Sequence, residues 1–365
     1  MLSGVNEDLA LPLLPARPVL TTKSTNRHES IEGRRVMVTG AGGSIGSELV
    51  KQIMRSNPES LVMIDQSEYA LYEINCTVNS QGLDETVTSY LIDIRDQDAM
   101  RWAFARHKPD IVFHAAALKH VPMLENDFNL TEAVRTNVLG TKIVADLCSA
   151  RGADMVMIST DKAVNPSSSM GLTKRVAEIY VHGKALRHPE TKISMVRFGN
   201  VLGSSGSVVP LFRRQIAQGG PVTVTHPDMT RYMMTISEAV NLTLHASSLP
   251  HDQFGCYVLD MGEPVRIVDL AKKLITLAGL TTDDVKIDFV GMRPGEKLFE
   301  ELHYDWEELR PTEAPGVRKA VPHFDPKPKL QVVDELLLAA NARNHERVKQ
   351  LLVEIVPEFV GEVVF

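Results

Sequence analysis

Cysteine is scarce in this sequence, which has three in 365 residues: Cys76, Cys148 and Cys256. They lie far apart, and neither they nor the twelve histidines show the close ligand spacing of a zinc site. A disulfide framework or a bound metal is therefore not expected. We expect the three cysteines to be reduced, buried small residues, as in a cytoplasmic protein.

Long apolar runs and an excess of basic residues are also missing. No segment approaches the ~18 consecutive apolar residues of a membrane helix, and the nearest candidate, "LALPLLPARPVL", is broken by Pro12, Pro15 and Pro18. It also lacks the basic flank and cleavage site of a signal peptide. With 39 basic and 46 acidic residues the net charge is −7, so a nucleic-acid partner is not expected. We predict an extended leader or linker over residues 1–31 and a soluble, cytoplasmic folded chain.

From residue 34 to residue 198, short apolar runs rich in β-branched residues alternate with stretches of amphipathic helical pattern. Six runs predict strands: "RRVMVTG", "SLVMID", "TVTSYLID", "DIVFHAA", "DMVMIST" and "KISMVRF". Apolar strands that alternate with helices are typical of a parallel sheet covered on both faces. The sequence therefore predicts an α/β fold with a Rossmann-like, doubly wound parallel sheet over residues 32–199.

Beyond residue 199 the elements become shorter, and glycine-containing loops separate them. The segments "VTVTH", "SEAVNLTLHASS", "CYVLD" and "RIVDLAKKLITLAG" predict a smaller mixed α/β region over residues 200–325, packed against the carboxyl edge of the sheet. Two helical patterns, "LQVVDELLLAANA" and "HERVKQLLVEIV", predict a helical tail over residues 326–365.

The first predicted strand runs into "TGAGGSIG", where Gly40, Gly43 and Gly46 stand three residues apart and Ser44 and Ile45 open a helix. Glycines permit a tight turn and the close approach of a pyrophosphate, whose charge is favoured at a helix N-terminus. A glycine pattern alone also fits an ordinary strand-to-helix turn. Because this one follows the first strand of an alternating fold, we predict a dinucleotide-binding loop and an NAD-binding domain over residues 32–199.

Asp65, which ends the second predicted strand, stands about twenty residues past the glycines, where an acid can bind both ribose hydroxyls of NAD. Its charge would repel a 2′-phosphate, so NAD is predicted over NADP, although Gln66 and Ser67 could tolerate a phosphate. Asp65 could instead cap the helix that begins near Ser67. Asp93 and Ile94, at the end of the third strand, are assigned to the adenine. Three small residues after the fourth strand predict a wall beside the cofactor, with plain packing as an equal alternative: Ala115, Ala116 and Ala117.

Polar residues follow the fifth predicted strand, in the order Ser159, Thr160, Asp161 and Lys162. Ligands gather at the carboxyl ends of strands in doubly wound folds, so these side chains should face the cofactor. A helix begins about ten residues later, and Lys174, one turn into it, could hydrogen-bond the nicotinamide ribose. A helix cap with solvated lysines is the alternative.

Several long motifs resemble one bacterial family: "HAAALKHVPMLE", "NVLGT", "ISTDKAVNP", "GLTKR", "RFGNVLGSSGSVVPLF", "DMTRYMMTISEAV" and "MRPGEKLFEEL". With the glycine loop they resemble the UDP-N-acetylglucosamine 4,6-dehydratases of the CapD-like polysaccharide-biosynthesis family. These are extended short-chain dehydrogenases/reductases, and the resemblance covers residues 32–311. Met170 stands where a common oxidoreductase pattern has a tyrosine, four residues before Lys174.

The resemblance implies a reaction in which the cofactor is recycled. Tightly bound NAD⁺ would take hydride from C-4 of the sugar, water would leave across C-5 and C-6, and the hydride would return to C-6. The product would be a UDP-4-keto-6-deoxy-N-acetyl sugar with the C-5 configuration retained.

The resemblance also implies roles for individual residues. Thr160 would orient the C-4 hydroxyl, Asp161 would donate a proton to the C-6 oxygen, and Lys162 would act as a base if its surroundings lowered its pKa toward neutrality. Met170 would form an apolar wall. Residues 200–325 would bind most of the substrate, with surface salt bridges as the alternative for the arginines. The implied contacts are Lys119, Asn200, Val209, Arg231, Arg293 and Glu296 for the substrate, and Lys119, Asn137 and Lys174 for the cofactor.

Two other functions stay open at this point. A UDP-sugar 4-epimerase shares the fold and the C-4 oxidation but not the loss of water. An inactive NAD-binding regulatory or scaffold protein would explain the missing tyrosine. Relatives usually pair through helices beside the sheet, which predicts a homo-oligomer through "NLTEAVRTNVLG" and "GLTKRVAEIYV". Longer family members carry N-terminal membrane helices, so a piece of such a protein would lie at the cytoplasmic face of the inner membrane.

Overall fold

The computed structural model describes residue 13 and residues 28–80, 86–250, 254–327 and 329–361. Most of the predicted leader over residues 1–31 lies outside the described residues. Its Leu13 is 1% exposed and belongs to an apolar cluster of the smaller region that includes Phe212 and Leu274. Within the described residues, no helix is both long enough and apolar enough to cross a bilayer.

The described residues form fifteen strands, of which the first six are the apolar runs predicted over residues 34–198. They are β1 (Arg35–Thr39), β2 (Ser60–Asp65), β3 (Val87–Leu91), β4 (Ile111–His114), β5 (Asp154–Ile158), β6 (Ile193–Arg197), β7 (Asn200–Val201), β8 (Val222–Val224), β9 (Thr230–Arg231), β10 (Met233–Met234), β11 (Phe254–Leu259), β12 (Val265–Arg266), β13 (Ile287–Phe289), β14 (Glu308–Pro311) and β15 (Val317–Val321).

A nine-stranded sheet of order β14-β15-β11-β6-β5-β4-β1-β2-β3 forms the centre of the fold. The neighbours from β3 to β11 are all parallel, whereas β15 is antiparallel to both β11 and β14. The order 3-2-1-4-5-6 is that of a doubly wound dinucleotide-binding sheet. The predicted fold class is therefore confirmed.

Helices cover the sheet and shield its apolar residues from water. They are α1 (Ser44–Met54), α2 (Glu68–Asn79), α3 (Gln97–His107), α4 (Val121–Leu124), α5 (Asp127–Ala133), α6 (Thr141–Arg151), α7 (Ser169–Arg187), α8 (Val208–Ala217), α9 (Ile236–Ser248), α10 (Ile267–Leu277), α11 (Lys329–Asn341) and α12 (His345–Ile355). A π-helical stretch, Val134–Gly140, joins α5 to α6 without a break.

The smaller region contains three two-stranded pairings, β7 with β10, β9 with β12, and β8 with β13. It is interleaved with the large sheet, because β11, β14 and β15 follow residue 200 in sequence yet join that sheet. Chain from both sides of the predicted boundary at residues 199 and 200 therefore supplies strands of the large sheet.

The two helices predicted for the tail are present as α11 and α12, and they pack against α5 and α7. The sequence predicts that a homo-oligomer forms through α5 and α7. The two tail helices therefore cover part of the surface predicted for that contact. Fifteen of the nineteen residues of α7 are buried in the single chain.

The expectation of three buried cysteines is wrong for one of them. Cys148 and Cys256 are buried, but Cys76 is exposed on α2. The buried residues of that helix are Leu71, Ile74 and Val78, whose spacing marks the face that packs on the sheet. Cys76 lies off that face.

Candidate active site

The glycine loop between β1 and α1 is closely packed. Gly40 has φ +68°, and a Cβ there would lie 2.6 Å from the Ala116 N. A Cβ at Gly46 would lie 1.9 Å from the Gly40 O, so this position admits no side chain. Among the described residues no side chain caps α1 at Gly43, and the first amides of a helix have no partner within it. The loop therefore fits a cofactor pyrophosphate, with the amides of residues 44–46 as donors.

Asp65, the last residue of β2, contacts the glycine loop. Its Oδ2 accepts a hydrogen bond from Gly42 N at 2.9 Å, and its Oδ1 accepts one from Ser67 N at 2.9 Å. Ser67, rather than Asp65, caps α2 by accepting from Ala70 N at 3.3 Å. Because each carboxylate oxygen can accept more than one donor, Asp65 retains capacity for a ribose hydroxyl.

Asp93 and Ile94 lie after β3, at the same edge of the sheet as Asp65. Arg95 Nε donates to both oxygens of Asp93, at 3.0 and 2.8 Å. Burial opposes the ionisation of Asp93, but these bonds from Arg95 outweigh it and lower the pKa of Asp93. Ile94 is buried against Gly140, where an added Cβ would meet Ile94 Cδ1 at 2.4 Å.

A cavity of about 580 Å³ opens at the carboxyl ends of β1, β4, β5 and β6, between the sheet and the smaller region. The predicted site residues that line it are Gly43, Ser44, Ile45, Gly46, Ala115, Ala117, Lys119, Thr160, Lys162, Met170, Lys174, Asn200, Arg231, Arg293 and Glu296. The predicted site residues outside its lining are Gly40, Asp65, Gln66, Ser67, Asp93, Ile94, Ala116, Asn137, Asp161 and Val209.

The residues after β5 form a short 3₁₀ turn, Asp161–Ala163, at the floor of the cavity. Thr160 Oγ1 caps it by accepting from Lys162 N at 3.3 Å, and it donates to Asp161 Oδ1 at 2.9 Å. Lys162 Nζ donates to Asp161 Oδ1 at 2.9 Å and to Asn200 Oδ1 at 3.0 Å. The cap considered as an alternative is thus present, but the Lys162 side chain is only 21% exposed and is not a solvated surface charge.

Glu300, which sequence reasoning missed, completes this group. Its Oε1 lies 3.6 Å from Lys162 Nζ and 3.7 Å from Arg231 Nε, and its side chain is 4% exposed. We call Asp161, Lys162, Arg231 and Glu300 the cavity cluster. Within the described parts of the chain, neither Asp161 Oδ2 nor Glu300 Oε2 has a hydrogen-bond partner. Glu300 lies in the motif "MRPGEKLFEEL", but no local pattern distinguishes it from the adjacent Glu301.

The charge on Lys162 is stabilised in this arrangement. Burial lowers the pKa of Lys162, but the charges of Asp161 and Glu300 outweigh it, and the net shift is upward. Lys162 could act as a base by itself only if its pKa were lowered, and this condition is therefore not met. Burial and Asp161 raise the pKa of Glu300 against the opposing effects of Lys162 and Arg231. Both shifts favour the proton-bearing forms of the two groups.

Helix α7 brings Met170 and Lys174 to the cavity wall. Lys174 Nζ donates to Ile158 O at 2.8 Å, and burial lowers the pKa of Lys174 to about 8. Met170 is 4% exposed and packs in a small apolar cluster with Ala133. An apolar side chain thus occupies the position where the sequence pattern has a phenol.

Asn137 and Val209 have partners within the fold. Asn137 Nδ2 donates to Leu118 O and to Thr173 Oγ1, both at 3.0 Å, and Asn137 Oδ1 accepts from Leu118 N at 2.8 Å. Asn137 therefore fixes the loop after β4 against α7. Val209 is buried in the apolar core of the smaller region, and its neighbour Val208 lines the cavity.

The loop between β13 and β14 brings Arg293 and Glu296 to the cavity. Glu296 Oε2 accepts from Arg293 N at 3.1 Å, and Ser167 Oγ donates to Gly295 O at 2.9 Å. A Cβ at Gly295, which has φ +76°, would lie 2.9 Å from Ser168 Cβ. This loop is therefore seated closely on the segment that leads into α7.

A second group of buried charges adjoins the turn after β5. Glu178 Oε1 accepts from Arg197 Nε at 2.8 Å and from Ser159 Oγ at 2.7 Å, and Glu178 Oε2 accepts from Arg197 Nη2 at 2.8 Å and Arg175 Nη1 at 3.1 Å. Arg197 Nη1 donates to Glu307 Oε2 at 2.7 Å. Burial opposes the charge of Glu178, but Arg197 outweighs it and lowers its pKa to about 2. We call Arg175, Glu178, Arg197 and Glu307 the buttress cluster. Ser159, which lines the cavity and donates to Glu178, connects this cluster to the cavity.

The strand order, the glycine loop and a lysine at the start of α7 define an extended short-chain dehydrogenase/reductase. Within that class the chain belongs to one family, since the family model described as "Polysaccharide biosynthesis protein" matches residues 36–322. The family resemblance of the sequence motifs is therefore confirmed.

Similar proteins agree with this assignment. The chain is 49% identical over 296 residues to the probable polysaccharide biosynthesis protein EpsC of Bacillus subtilis, covering 80% of this chain and 48% of EpsC. It is 48% identical over 277 residues to the capsular polysaccharide biosynthesis protein CapD of Staphylococcus aureus, covering 74% of this chain and 45% of CapD. It thus spans about half the length of these relatives. The X-ray structure of Pen from Bacillus thuringiensis has a TM-score of 0.69 and 32% identity, covering 74% of this chain and 84% of Pen.

Proposed function

We propose that this protein is a nucleotide-sugar 4,6-dehydratase that converts UDP-N-acetylglucosamine to a UDP-4-keto-6-deoxy-N-acetyl sugar. The observation that carries the proposal is the cavity cluster, in which two buried carboxyls and two cations meet beside a glycine loop. Eliminating water from a sugar requires groups that take a proton at one carbon and give one at the next. The similarity to EpsC and CapD, both named for polysaccharide biosynthesis, supports a nucleotide-sugar substrate.

The cofactor in this proposal is NAD. When bound it would accept hydride from C-4 of the sugar and return it to C-6. The amides of residues 44–46 would hold its pyrophosphate, and Asp65 would bind the adenosine ribose and repel the 2′-phosphate of NADP. Lys174, anchored on Ile158 O, would hold the nicotinamide ribose. Asp93 would lie toward the adenine.

Three residues of the turn after β5 would act on the sugar. Thr160 would orient the C-4 hydroxyl, and its hydrogen bond to Asp161 keeps the threonine hydroxyl directed. Lys162 and a carboxyl group of the cavity cluster would share the acid and base work at C-5 and C-6, and Asp161 is the carboxyl group that the family resemblance assigns to the acid. Retention at C-5 is proposed from the family resemblance, with Met170 as an apolar wall in place of a phenol.

The UDP portion would lie against the smaller region. Arg231 is held by donation from its Nη1 to Thr230 O at 2.7 Å and Leu298 O at 3.3 Å. A guanidinium held in this way can pair with a phosphate through two parallel hydrogen bonds. Arg293 would supply a second cation for the diphosphate, and Asn200, which accepts from Lys162 Nζ, would lie where the sugar joins it.

Incubation of the protein with UDP-N-acetylglucosamine, without added cofactor, tests this proposal. The expected result is a 4-keto product that has lost one water by mass spectrometry, with C-5 exchange when the reaction is run in heavy water. An unchanged mass with a shifted sugar NMR spectrum would instead indicate a 4-epimerase. Bound NAD with neither change would indicate an inactive NAD-binding protein.

A further inference from the structure

The cavity cluster contains a base that is charged at rest. Lys162 Nζ lies 2.9 Å from Asp161 Oδ1 and 3.6 Å from Glu300 Oε1, and both carboxyl groups favour its ammonium form. Removal of the C-5 proton requires a neutral amine. Lys162 can therefore serve as the base only if a neighbouring group first takes its proton.

We propose that Glu300 is this proton partner of Lys162 and the general acid that protonates the departing C-6 hydroxyl. The inference rests on the proposed function and deepens it, because it divides the proton work among specific atoms of that site.

The position of Glu300 suits it for both steps. Its Oε1 lies beside Lys162 Nζ, its side chain is 4% exposed, and the residue lines the cavity. Its Oε2 is buried without a hydrogen-bond partner among the described residues. Leaving a buried polar atom unpaired is unfavourable. An unpaired oxygen on a residue that lines the cavity is therefore a natural site for a substrate hydroxyl.

Asp161 is less suited to donate a proton to the sugar. It is fully buried, lies outside the cavity lining, and its Oδ1 already accepts from Thr160 Oγ1 and Lys162 Nζ. These contacts fit a role in holding Lys162 and Thr160 in place. Asp161 is therefore a positioning residue in this scheme.

Burial favours a proton on Glu300, whereas most of the charges around it oppose one. Lys162 and Asp161 face it from the turn after β5, Arg231 faces it from β9, and Lys297 faces it from its own loop. Burial, together with Asp161, raises the pKa of Glu300 despite the three cations. A proton on Glu300 is thus easier to hold than on an ordinary carboxyl group.

The protons balance over one elimination. The Lys162 ammonium gives a proton to the Glu300 carboxylate, which leaves a neutral amine and a carboxylic acid. The amine takes the proton from C-5, and that electron pair forms the C-5 to C-6 double bond as the C–O bond at C-6 breaks. Glu300 gives its proton to the leaving oxygen, which departs as water. Lys162 is then an ammonium and Glu300 a carboxylate, as at the start.

The test is Glu300→Gln, with Glu301→Gln as the matched control. Glutamine keeps the size of the side chain but can neither accept nor release the proton. Glu301 is adjacent, its side chain is 45% exposed, it pairs with Lys297 at 2.8 Å, and it lies outside the cavity lining. We expect Glu300→Gln to lower kcat for water loss by about 100-fold or more, with bound NAD retained, and Glu301→Gln to match the wild type.

The pH dependence gives a second readout. Glu300 must begin as a carboxylate, so wild-type kcat should rise with pH through the raised pKa of Glu300, and Glu300→Gln should lose that limb. The rate at which Lys162 is acetylated can be measured at each pH by mass spectrometry. This rate reports the fraction of neutral amine and does not depend on turnover. Since Glu300 raises the pKa of Lys162, the variant should react at lower pH. If Lys162 is more often neutral in Glu300→Gln and turnover is nevertheless slower, the slower turnover comes from loss of the acid and not from a change in the pKa of Lys162.

The outcomes are distinguishable. If the wild type forms no keto product, the proposed function is wrong, and the acetylation curves still report whether Glu300 controls Lys162. If the wild type is active and Glu300→Gln keeps its kcat and pH profile, the role of Glu300 is overturned while the dehydratase stands. Should Glu300→Gln unfold, Glu300→Ser removes the acid with a smaller side chain, and full wild-type kcat in that variant would also contradict the role.

Discussion

The buttress cluster and the cavity cluster lie next to each other after β5, where Ser159 donates to Glu178 and Asp161 stands two residues later. Even so, the pKa shifts of Glu178 and Glu300 are opposite in direction. In the buttress cluster both oxygens of Glu178 accept hydrogen bonds, four in all, and the pKa of Glu178 is lowered to about 2 by Arg197 against the opposing effect of burial. In the cavity cluster Asp161 Oδ2 and Glu300 Oε2 lack partners among the described residues, and the pKa of Glu300 is raised.

This difference indicates that the buttress cluster stabilises the fold, whereas the cavity cluster can take part in a reaction. A buried charge whose hydrogen-bonding sites are filled has one protonation state and no capacity for a ligand. A buried carboxyl with an unfilled site and a competing cation can change its proton and accept a substrate. Glu307 Oε1 is also unpaired within the described chain, but Glu307 lies outside the cavity lining, as Asp161 does. Of these three carboxyl groups, Glu300 is the one that combines an unpaired oxygen with access to a substrate.

The largest expected effect comes from removing the cation of the cavity cluster. Lys162→Ala should lower turnover of UDP-N-acetylglucosamine by about 10²- to 10⁴-fold, because the C-5 base is lost. NAD should stay bound, since Lys162 is outside the glycine loop. Product mass spectrometry and the absorbance of cofactor released on denaturation measure the two quantities.

The exposed Lys192 provides the control for this change. Lys192→Ala should leave both turnover and bound cofactor at wild-type levels. If Lys162→Ala kept its turnover, Lys162 would have no role in the chemistry. The cavity cluster would then be structural, like the buttress cluster.

The cation of the buttress cluster should instead govern stability. Arg197→Met leaves Glu178 and Glu307 buried without their partner, and breaking a buried ion pair in this way costs about 3–5 kcal/mol of unfolding free energy. Chemical denaturation measures it, with Arg318→Met at an exposed position of β15 as the control, expected within about 0.5 kcal/mol of wild type. A loss of only about 1 kcal/mol would show that the buttress cluster is not structural.

The pH dependence of stability sharpens the same contrast. The pKa of Glu178 is lowered from 4.5 to about 2, so its contribution is fully present above pH 4.5 and is lost as the pH falls toward 2. The unfolding free energy of the wild type should fall over that window. Arg197→Met should show a smaller fall, because Arg197 is the main cause of the shift.

The sequence predicts one of these clusters in part and the other not at all. Strand periodicity and loop spacing are local, so the sheet, the glycine loop and the turn at Thr160 could be predicted. Glu178, Arg197 and Glu307 come from separate elements, and no local pattern pairs an arginine of β6 with a glutamate of α7. Glu300 was missed for the same reason, since only the folded chain places it 3.6 Å from Lys162.

A smaller effect is expected at the apolar wall of the cavity. Met170→Tyr restores the phenol of the oxidoreductase pattern, but Met170 is 4% exposed and closely packed. The larger side chain should cost about 1–3 kcal/mol of unfolding free energy and should not raise kcat, because the proton work lies in the cavity cluster. A large gain in kcat would show that the site depends on a phenol after all.

The smallest effect is expected where the tail meets the buttress cluster. Glu358 Oε1 accepts from Arg175 Nε at 2.9 Å and from Tyr304 OH at 3.4 Å, and the Glu358 side chain is 24% exposed. Glu358→Gln keeps the acceptor oxygen and removes the charge, so it should lower the unfolding free energy by about 0.5–1 kcal/mol and leave kcat unchanged. Glu354→Gln, at an exposed position of α12, should change neither quantity. A kcat that fell with Glu358→Gln at constant stability would mean that the buttress cluster also tunes the reacting groups, and the division between a structural and a reactive cluster would not hold.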